Sequence, residues 1–109
     1  MIRRLVLLLA LAGLAACGPR KSPGMRDDPM RHYEMGTEHL RQGRPDRAAV
    51  ALERAVALDP EAPFPHLCLG ALYMEFLGDP RLATQHLRRY QELGGDDPRA
   101  AEWLRRRVR

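Results

Sequence analysis

Residues 29–62 read PMRHYEMGTEHLRQGRPDRAAVALERAVALDPEA, and their prolines and apolar spacing predict two successive helices. Pro29 and Pro45 each suit a first helical position, because the N–H that proline lacks would be unpaired there. Helices are therefore predicted over 29–42 and 45–58. Apolar side chains of the second helix recur at i, i+4, i+7 and i+8, on one helical face: Ala48, Leu52, Ala55 and Val56.

Proline and aspartate mark similar boundaries further along the chain. Asp-Pro pairs recur at 28/29, 59/60, 79/80 and 97/98. Three of these aspartates can accept hydrogen bonds from the first backbone N–H groups of a helix: Asp28, Asp79 and Asp97. Further helices are predicted near 63–77, 80–93 and 98–108. The third helix, FPHLCLGALYMEFL, is apolar on nearly every side and needs several neighbours.

A set of small and apolar residues recurs at fixed positions in the first helix pair. Counted from Pro29, positions 8, 20, 24, 27 and 32 hold Gly36, Ala48, Leu52, Ala55 and Pro60. This set resembles the tetratricopeptide repeat, a helix-turn-helix unit of about 34 residues. In that family the small residues lie where the helices cross, and the proline ends the unit. His32 and His39 depart from the pattern, which prefers aromatic residues there.

A second, divergent unit is predicted over 63–97. Counted from Pro63, positions 7, 8 and 11 hold Leu69, Gly70 and Tyr73. Ala83 follows Gly70 by 13 residues rather than 12, and Tyr90 stands where alanine is usual. Pro98 follows Ala83 by 15 residues rather than 12, which predicts a longer fourth helix or exit loop.

The last segment, 98–109, resembles the capping helix that closes such arrays. One face carries Ala100, Leu104 and Val108, and Trp103 lies beside them. The predicted fold class is therefore all-α, a tetratricopeptide-type array of two repeats plus a C-terminal capping helix.

Residues 1–16 are predicted to be a cleaved signal peptide. Arg3 and Arg4 precede an apolar and small stretch from Leu5 to Ala16. At about 1.5 Å per helical residue, this stretch covers roughly 18 Å, which is too short for a bilayer core of about 30 Å.

The stretch ends in Leu14-Ala15-Ala16-Cys17, which resembles the lipobox of bacterial lipoproteins. The resemblance implies that Cys17 becomes the first residue and carries a covalent lipid that anchors the chain to a membrane. Gly18 resembles the class destined for the outer membrane. The alternative is an ordinary secretory signal cleaved after Ala16, a site that Leu14 fits poorly.

Residues 17–28 are predicted to be a lipidated, flexible tether, because GPRKSPGMRDD lacks apolar periodicity.

Without residues 1–16, 93 residues remain, with 16 basic and 14 acidic side chains and a formal charge of +2. Interleaved charges without a long basic block argue against nucleic-acid binding. An intramolecular disulfide is not expected, since Cys17 would carry lipid and leave only Cys68.

By the same resemblance, positions 2, 5, 9 and 12 of each repeat line a concave surface that binds a peptide. In the two repeats these positions hold Met30, Tyr33, Thr37, Leu40, Phe64, Leu67, Ala71 and Met74. Positions 5 and 9 lack the lysine and asparagine that grip a chain terminus, so an apolar groove for an extended or helical segment is implied. Alternatively, so short an array closes this surface with its own last helix or with a second copy.

Histidine and methionine side chains raise the question of a soft metal such as copper(I). His32, Met35 and His39 share a helix face, and methionine recurs at 25, 30 and 35. The favoured interpretation is packing, because both histidines occupy packing positions of the repeat. No metal and no cofactor is expected beyond the lipid on Cys17.

Catalysis is not expected, because the chain lacks an HExxH sequence, a phosphate-binding glycine loop and a Ser-His-Asp order. Cys68, between Leu67 and Leu69, is interpreted as a small buried hydrophobe rather than a reactive thiol. The closing RRRVR could contact anionic headgroups, but it more simply complements the negative end of its helix.

Together these features predict a membrane-anchored adaptor that binds a protein partner during cell-envelope assembly. In an organism with two membranes, the periplasmic face of the outer membrane is the expected location. The alternative is a structural lipoprotein that forms a homo-dimer, its groove filled by another copy.

Overall fold

The computed structural model describes residues 27–107, and all regular structure in that range is helical. The helices are α1 (Pro29–Arg41), α2 (Pro45–Leu58), α3 (Pro63–Glu75), α4 (Pro80–Glu92) and α5 (Pro98–Arg107). The all-α class is confirmed. The predicted leader, the predicted lipidation site Cys17, Met25, most of the tether and Val108 lie outside the described residues.

Each helix begins at its predicted proline, and the predicted aspartate caps are confirmed. The Asp28 carboxylate accepts from the Met30 N–H at 3.0 Å, and Asp79 accepts from the Leu82 N–H at 3.1 Å. Asp97 accepts from the backbone N–H two residues later at 2.9 Å. These contacts satisfy donors that the first helical turn leaves without an intrahelical partner.

Three helices end one or two residues before their predicted ends. Gln42, Phe76 and Leu93 are cap residues whose N–H groups still donate to the preceding turn. The extra length of the second unit lies in its exit loop, since α4 ends at Glu92 and α5 begins five residues after Leu93.

Helices that follow one another in the chain pack against each other, α1 on α2 through to α4 on α5. Asp27, before α1, forms an ion pair with Arg54 near the end of α2, so these two helices run antiparallel. Among residues 27–107, the length and apolar character needed to cross a membrane are not combined in any helix.

The two helix pairs repeat one close contact. A Cβ atom on Gly36 would lie 2.6 Å from Leu52 Cγ, and one on Gly70 would lie 2.5 Å from a Leu87 methyl. Both leucines are fully buried. Gly36 with Leu52 therefore corresponds to Gly70 with Leu87, and each glycine lets the second helix approach the backbone of the first.

Tyr90 fits in place of the usual alanine because the exit loop makes room for it. A Cβ atom on Gly95 would overlap the Tyr90 ring, so only glycine allows the loop to lie across it. The Tyr90 hydroxyl accepts from the Asp97 N–H at 3.1 Å. The longer exit loop therefore accommodates the larger side chain of Tyr90, so the two departures from the repeat pattern have the same cause.

The core has two parts that meet at α3. The first contains Ala48, Ala49, Leu52, Leu69 and Leu72. The second contains Leu87, Tyr90 and Ala100, with Leu67, Met74, Trp103 and Leu104 packed against it. The all-round apolar character of α3 is thus explained, because its side chains enter both parts.

Candidate functional site

Three of the eight predicted groove residues come together in one apolar cleft at the N-terminal ends of α1 and α3. Met30 and Phe64 are 59% and 62% exposed, and Tyr33 is half-buried between them. The cleft has a volume of about 150 Å³. It is lined by Pro29, Met30, Tyr33, Ala55, Asp59, Ala62, Phe64 and Pro65. Two exposed aromatic or sulfur-containing side chains beside a concave apolar floor are suited to an apolar anchor of a partner.

Other predicted groove residues of α1 have structural partners. Thr37 donates its hydroxyl to the Glu34 carbonyl at 2.9 Å, and Leu40 packs against the first part of the core. The groove on the first repeat is therefore open mainly at its Met30 end.

On the second repeat, the last helix covers much of the predicted surface. Leu67 and Met74 pack against the same core part as Trp103 and Leu104 of α5. Ala71, between them on α3, is half-buried. This arrangement favours the interpretation in which the array closes one half of its concave surface with its own helix.

A second, broader hollow lies on the open side of the α1–α2 pair, and we call it the N-terminal face. It has a volume of about 750 Å³ and is flanked by Arg47 and Arg54. Val50 is 74% exposed and Met35 is 44% exposed there. His32 and Ala51 also line it. This face corresponds to the side of the second pair that packs on α2, so it is where a preceding repeat would stack.

Three of the residues considered for a soft metal, His32, Met35 and His39, line this N-terminal face, whereas Met30 lines the apolar cleft. His32 Nε2 lies 2.6 Å from an Asp27 carboxylate oxygen, and Arg54 binds the other oxygen of that carboxylate. These hydrogen bonds hold the pKa of Asp27 at about 2. Across residues 27–107, His, Cys, Asp and Glu side chains do not gather in threes as a metal site would require.

Cys68 lies inside the array, where burial raises the pKa of its thiol. Its Sγ is 3.9 Å from the Tyr33 hydroxyl, a long contact between α3 and α1. A raised pKa leaves little thiolate near neutral pH, which supports the interpretation of Cys68 as a packing residue.

The basic run at the end of α5 is partly neutralised within the helix. Arg105 and Arg106 both donate to Glu102, at 2.7 and 3.0 Å. These are exposed pairs of the kind that contributes little to stability.

A polar cluster between the two helix pairs, which we call the histidine junction, was not predicted from the sequence. Tyr73 donates its hydroxyl to Glu53 at 3.0 Å, and His86 Nε2 lies 3.1 Å from the same carboxylate oxygen. His66 Nδ1 lies 3.1 Å from His86 Nδ1, and His66 Nε2 donates to the Pro60 carbonyl at 3.0 Å. The junction thus joins α2, α3, α4 and the turn between α2 and α3.

The junction has a distinct electrostatic character. The hydrogen bond with His86 lowers the pKa of the Glu53 carboxyl, and burial lowers the pKa of His66. Burial and the bond to Glu53 raise the pKa of Tyr73 to about 12. Glu53 is therefore a carboxylate, Tyr73 is a phenol and His66 favours the neutral form at neutral pH.

A sequence signal for the junction exists in the one-residue drift of the second unit. Because Leu87 corresponds to Leu52, His86 corresponds to Ala51, which is buried at the floor of the N-terminal face of the first pair. His86 at the position of Ala51 and His66 at the position of His32 place two polar side chains on one face of the second pair. This pattern predicts a polar contact with the element that packs on that face.

Comparison with known proteins agrees with this architecture. Residues 29–62 match the family described as tetratricopeptide repeat. A comparison with curated proteins gives no match. The predicted fold class, an all-α array of tetratricopeptide type, is confirmed by the five helices and this match. Repeats of this kind typically serve as non-catalytic scaffolds that bind protein partners.

Proposed function

We propose that this chain is a membrane-anchored adaptor that binds an envelope protein through the apolar cleft. The apolar cleft is the observation that supports the proposal most, because Met30 and Phe64 leave large apolar surfaces in water beside a concave floor. Burying one large apolar side chain contributes about 1.5 to 3 kcal/mol. The expected partner segment carries such an anchor.

Acidic side chains at the apolar cleft indicate which charge the partner segment carries. Asp59 lines the apolar cleft, and Asp28 caps the helix that begins beside it. A lysine or arginine next to the apolar anchor would therefore bind better than an acidic residue. The proposed ligand is an extended or helical segment with one large apolar residue beside a basic one.

A photo-reactive phenylalanine analogue at position 64 tests the adaptor proposal in intact cells. We expect a crosslinked product that contains a second, distinct envelope protein. The same analogue in place of Gln85, an exposed residue of α4, provides the matched control. Equal products at positions 64 and 85 would contradict binding at the apolar cleft.

The anchor rests on the Leu14-Ala15-Ala16-Cys17 sequence. We propose that Cys17 carries the lipid and that the chain lies at the periplasmic face of an outer membrane. Cys17→Ser is expected to move the chain to the soluble fraction, whereas Cys68→Ser leaves it with the membrane. A Cys17→Ser variant that still sediments with membranes would contradict the anchor.

A second candidate function is self-association, and the exposed N-terminal face favours it. Val50 and Met35 lie there in water, on the outer side of the first of the two helix pairs that residues 29–92 form. A second copy would cover them. Self-association predicts that residues 18–109 sediment as a dimer and that the Val50→Glu variant sediments as a monomer. A monomer at all concentrations would leave the adaptor as the proposal.

A further inference from the structure

The histidine junction contains more hydrogen-bond positions than two neutral imidazoles can fill. His66 is 5% exposed, and the His86 side chain is 12% exposed. Water therefore has little access to either ring, and the pattern of donors and acceptors is set by the protein.

Both Nε2 atoms must carry hydrogen. His66 Nε2 is 3.0 Å from the Pro60 carbonyl, which can only accept. His86 Nε2 is 3.1 Å from Glu53, whose oxygen already accepts from Tyr73. Since each ring donates from Nε2, a neutral ring has only a lone pair left on Nδ1.

The two Nδ1 atoms lie 3.1 Å apart, which is a hydrogen-bond distance. With no proton between them, two lone pairs would face each other. With two protons, two N–H groups and two adjacent positive charges would face each other. Only one added proton gives a donor and an acceptor, so the pair as a whole carries a single positive charge.

Nearby groups act on the single charge of the pair. His86 lies against the Glu53 carboxylate and stacks on Tyr73, with ring centroids 5.9 Å apart. His66 is the more buried ring, and Arg89 on α4 also disfavours a charge there. Asp79, another charged group near the junction, acts on Tyr73. The single charge of the pair therefore lies beside the Glu53 carboxylate, which compensates it.

We infer that His66 and His86 share one proton, and that this singly protonated pair is a pH-dependent latch between the two helix pairs that positions one wall of the apolar cleft. The latch reaches the cleft through the hydrogen bond from His66 to the Pro60 carbonyl. Asp59 and Ala62, on either side of Pro60, and Pro65, next to His66, all line the cleft. The regulatory part of this inference rests on the proposed function of the cleft, whereas the protonation state does not.

The sign of the pH dependence follows from counting protons. Two histidines of an unfolded chain titrate near pH 6.5, about the usual histidine value. Above that pH the folded junction holds more protons than the unfolded chain, so stability falls as pH rises. Below it the unfolded chain holds more, because His66 resists a second proton, so stability falls as pH drops. The latch is strongest near pH 6.5 and weakens on both sides by roughly fivefold per pH unit in the folding equilibrium constant.

Nitrogen NMR of the histidine side chains in the full chain, held in detergent micelles, tests the protonation state directly. Near pH 6.5 we expect one ring of the pair to be doubly protonated and the other to be the neutral Nε2–H form. Two neutral rings at that pH, or two doubly protonated rings, would overturn the inference. This measurement involves no partner, so its outcome is separate from that of the crosslinking experiment.

Glu53→Gln tests the latch thermodynamically. A glutamine amide can donate to a neutral His86 Nε2, which frees His86 Nδ1 to donate to His66 without an added proton. In this variant the free energy of unfolding is expected to stay constant as the pH rises above 6.5, but still to decrease as the pH drops below 6.5. Glu34→Gln, an exposed change of the same charge, should keep both. Parallel pH profiles for the two variants would contradict the inference.

The methyl resonance of Met30 reports on the apolar cleft in the same samples. We expect it to shift between pH 6.5 and 8 in the parent chain and in Glu34→Gln, and to stay constant in Glu53→Gln. The Met74 methyl, in the second part of the core, serves as the internal reference. A Met30 shift that survives Glu53→Gln would show that the latch does not position the cleft.

Discussion

Gly70 shows how the absence of one methyl group decides the packing of the second helix pair. Its backbone lies against the Leu87 side chain, and Leu87 is fully buried. A glycine in a helix is usually less stable than alanine by up to about 1 kcal/mol. The contact reverses this preference, because added volume at a filled site strains its neighbours.

We therefore predict that Gly70→Ala destabilises the fold by about 1 to 3 kcal/mol. The measurement is the free energy of unfolding in urea. In a Leu87→Ala background the same change should cost far less, since the truncated side chain leaves room for the new methyl group. Equal costs in both backgrounds would show that the Leu87 contact is not the cause.

At the scale of elements, α5 replaces what a third repeat would otherwise supply. Trp103 and Leu104 pack on the second part of the core, beside Leu67 and Met74 of α3. The capping helix therefore removes apolar surface from water and shortens the open groove in one step. The remaining opening is the apolar cleft at the other end of α1 and α3.

We predict that Trp103→Ala lowers the free energy of unfolding by about 2 to 4 kcal/mol, because Trp103 is half-buried and its loss leaves a cavity. The variant should also bind an apolar fluorescent dye more strongly, as Leu67 and Met74 become accessible. Arg105→Ala is the matched control, since Arg105 is exposed and its side chain donates to Glu102 of the same helix. A Trp103→Ala variant as stable as this control would show that α5 is not needed to close the array.

The elements themselves were predictable because their signals are local. A proline at each first position and an aspartate before three of the helices define starts without reference to distant residues. The contact of Gly36 with Leu52 also follows from spacing within one repeat. The sequence did not decide whether Leu67 and Met74 are accessible or covered by α5. Their accessibility depends on where α5 lies rather than on any motif in α3.

The drift in the second unit indicates a polar residue on the packing face, but the partners in the histidine junction could not be predicted, for a related reason. Glu53 belongs to one helix pair, and His66 and His86 belong to the next, so their meeting depends on how the pairs stack. A drift of one residue places His86, rather than Gln85, at the position on the packing face that Ala51 holds in the first pair. Local periodicity describes each helix, whereas the register between helix pairs comes from their packing.

At the scale of the whole molecule, the two parts of the core share α3, and this sharing couples the stability of the two helix pairs. Leu69 and Leu72 complete the core of the first pair, and Leu67 and Met74 of the same helix complete the second. The first pair alone therefore lacks two of its fully buried side chains. In short arrays, stability depends strongly on such contacts between neighbouring repeats.

We predict that Leu72→Ala lowers the protection of backbone amides in α2 and α4 together, by about 2 to 5 kcal/mol each, in hydrogen-exchange measurements. Both helices lose protection because the substitution weakens the helix that links the two core parts. Leu104→Ala, on α5, is the matched control and should weaken α4 and α5 more than α1. If Leu72→Ala instead lowered protection only in α2, the two helix pairs would unfold separately, and a latch between them could not transmit a change in pH from His86 to the apolar cleft.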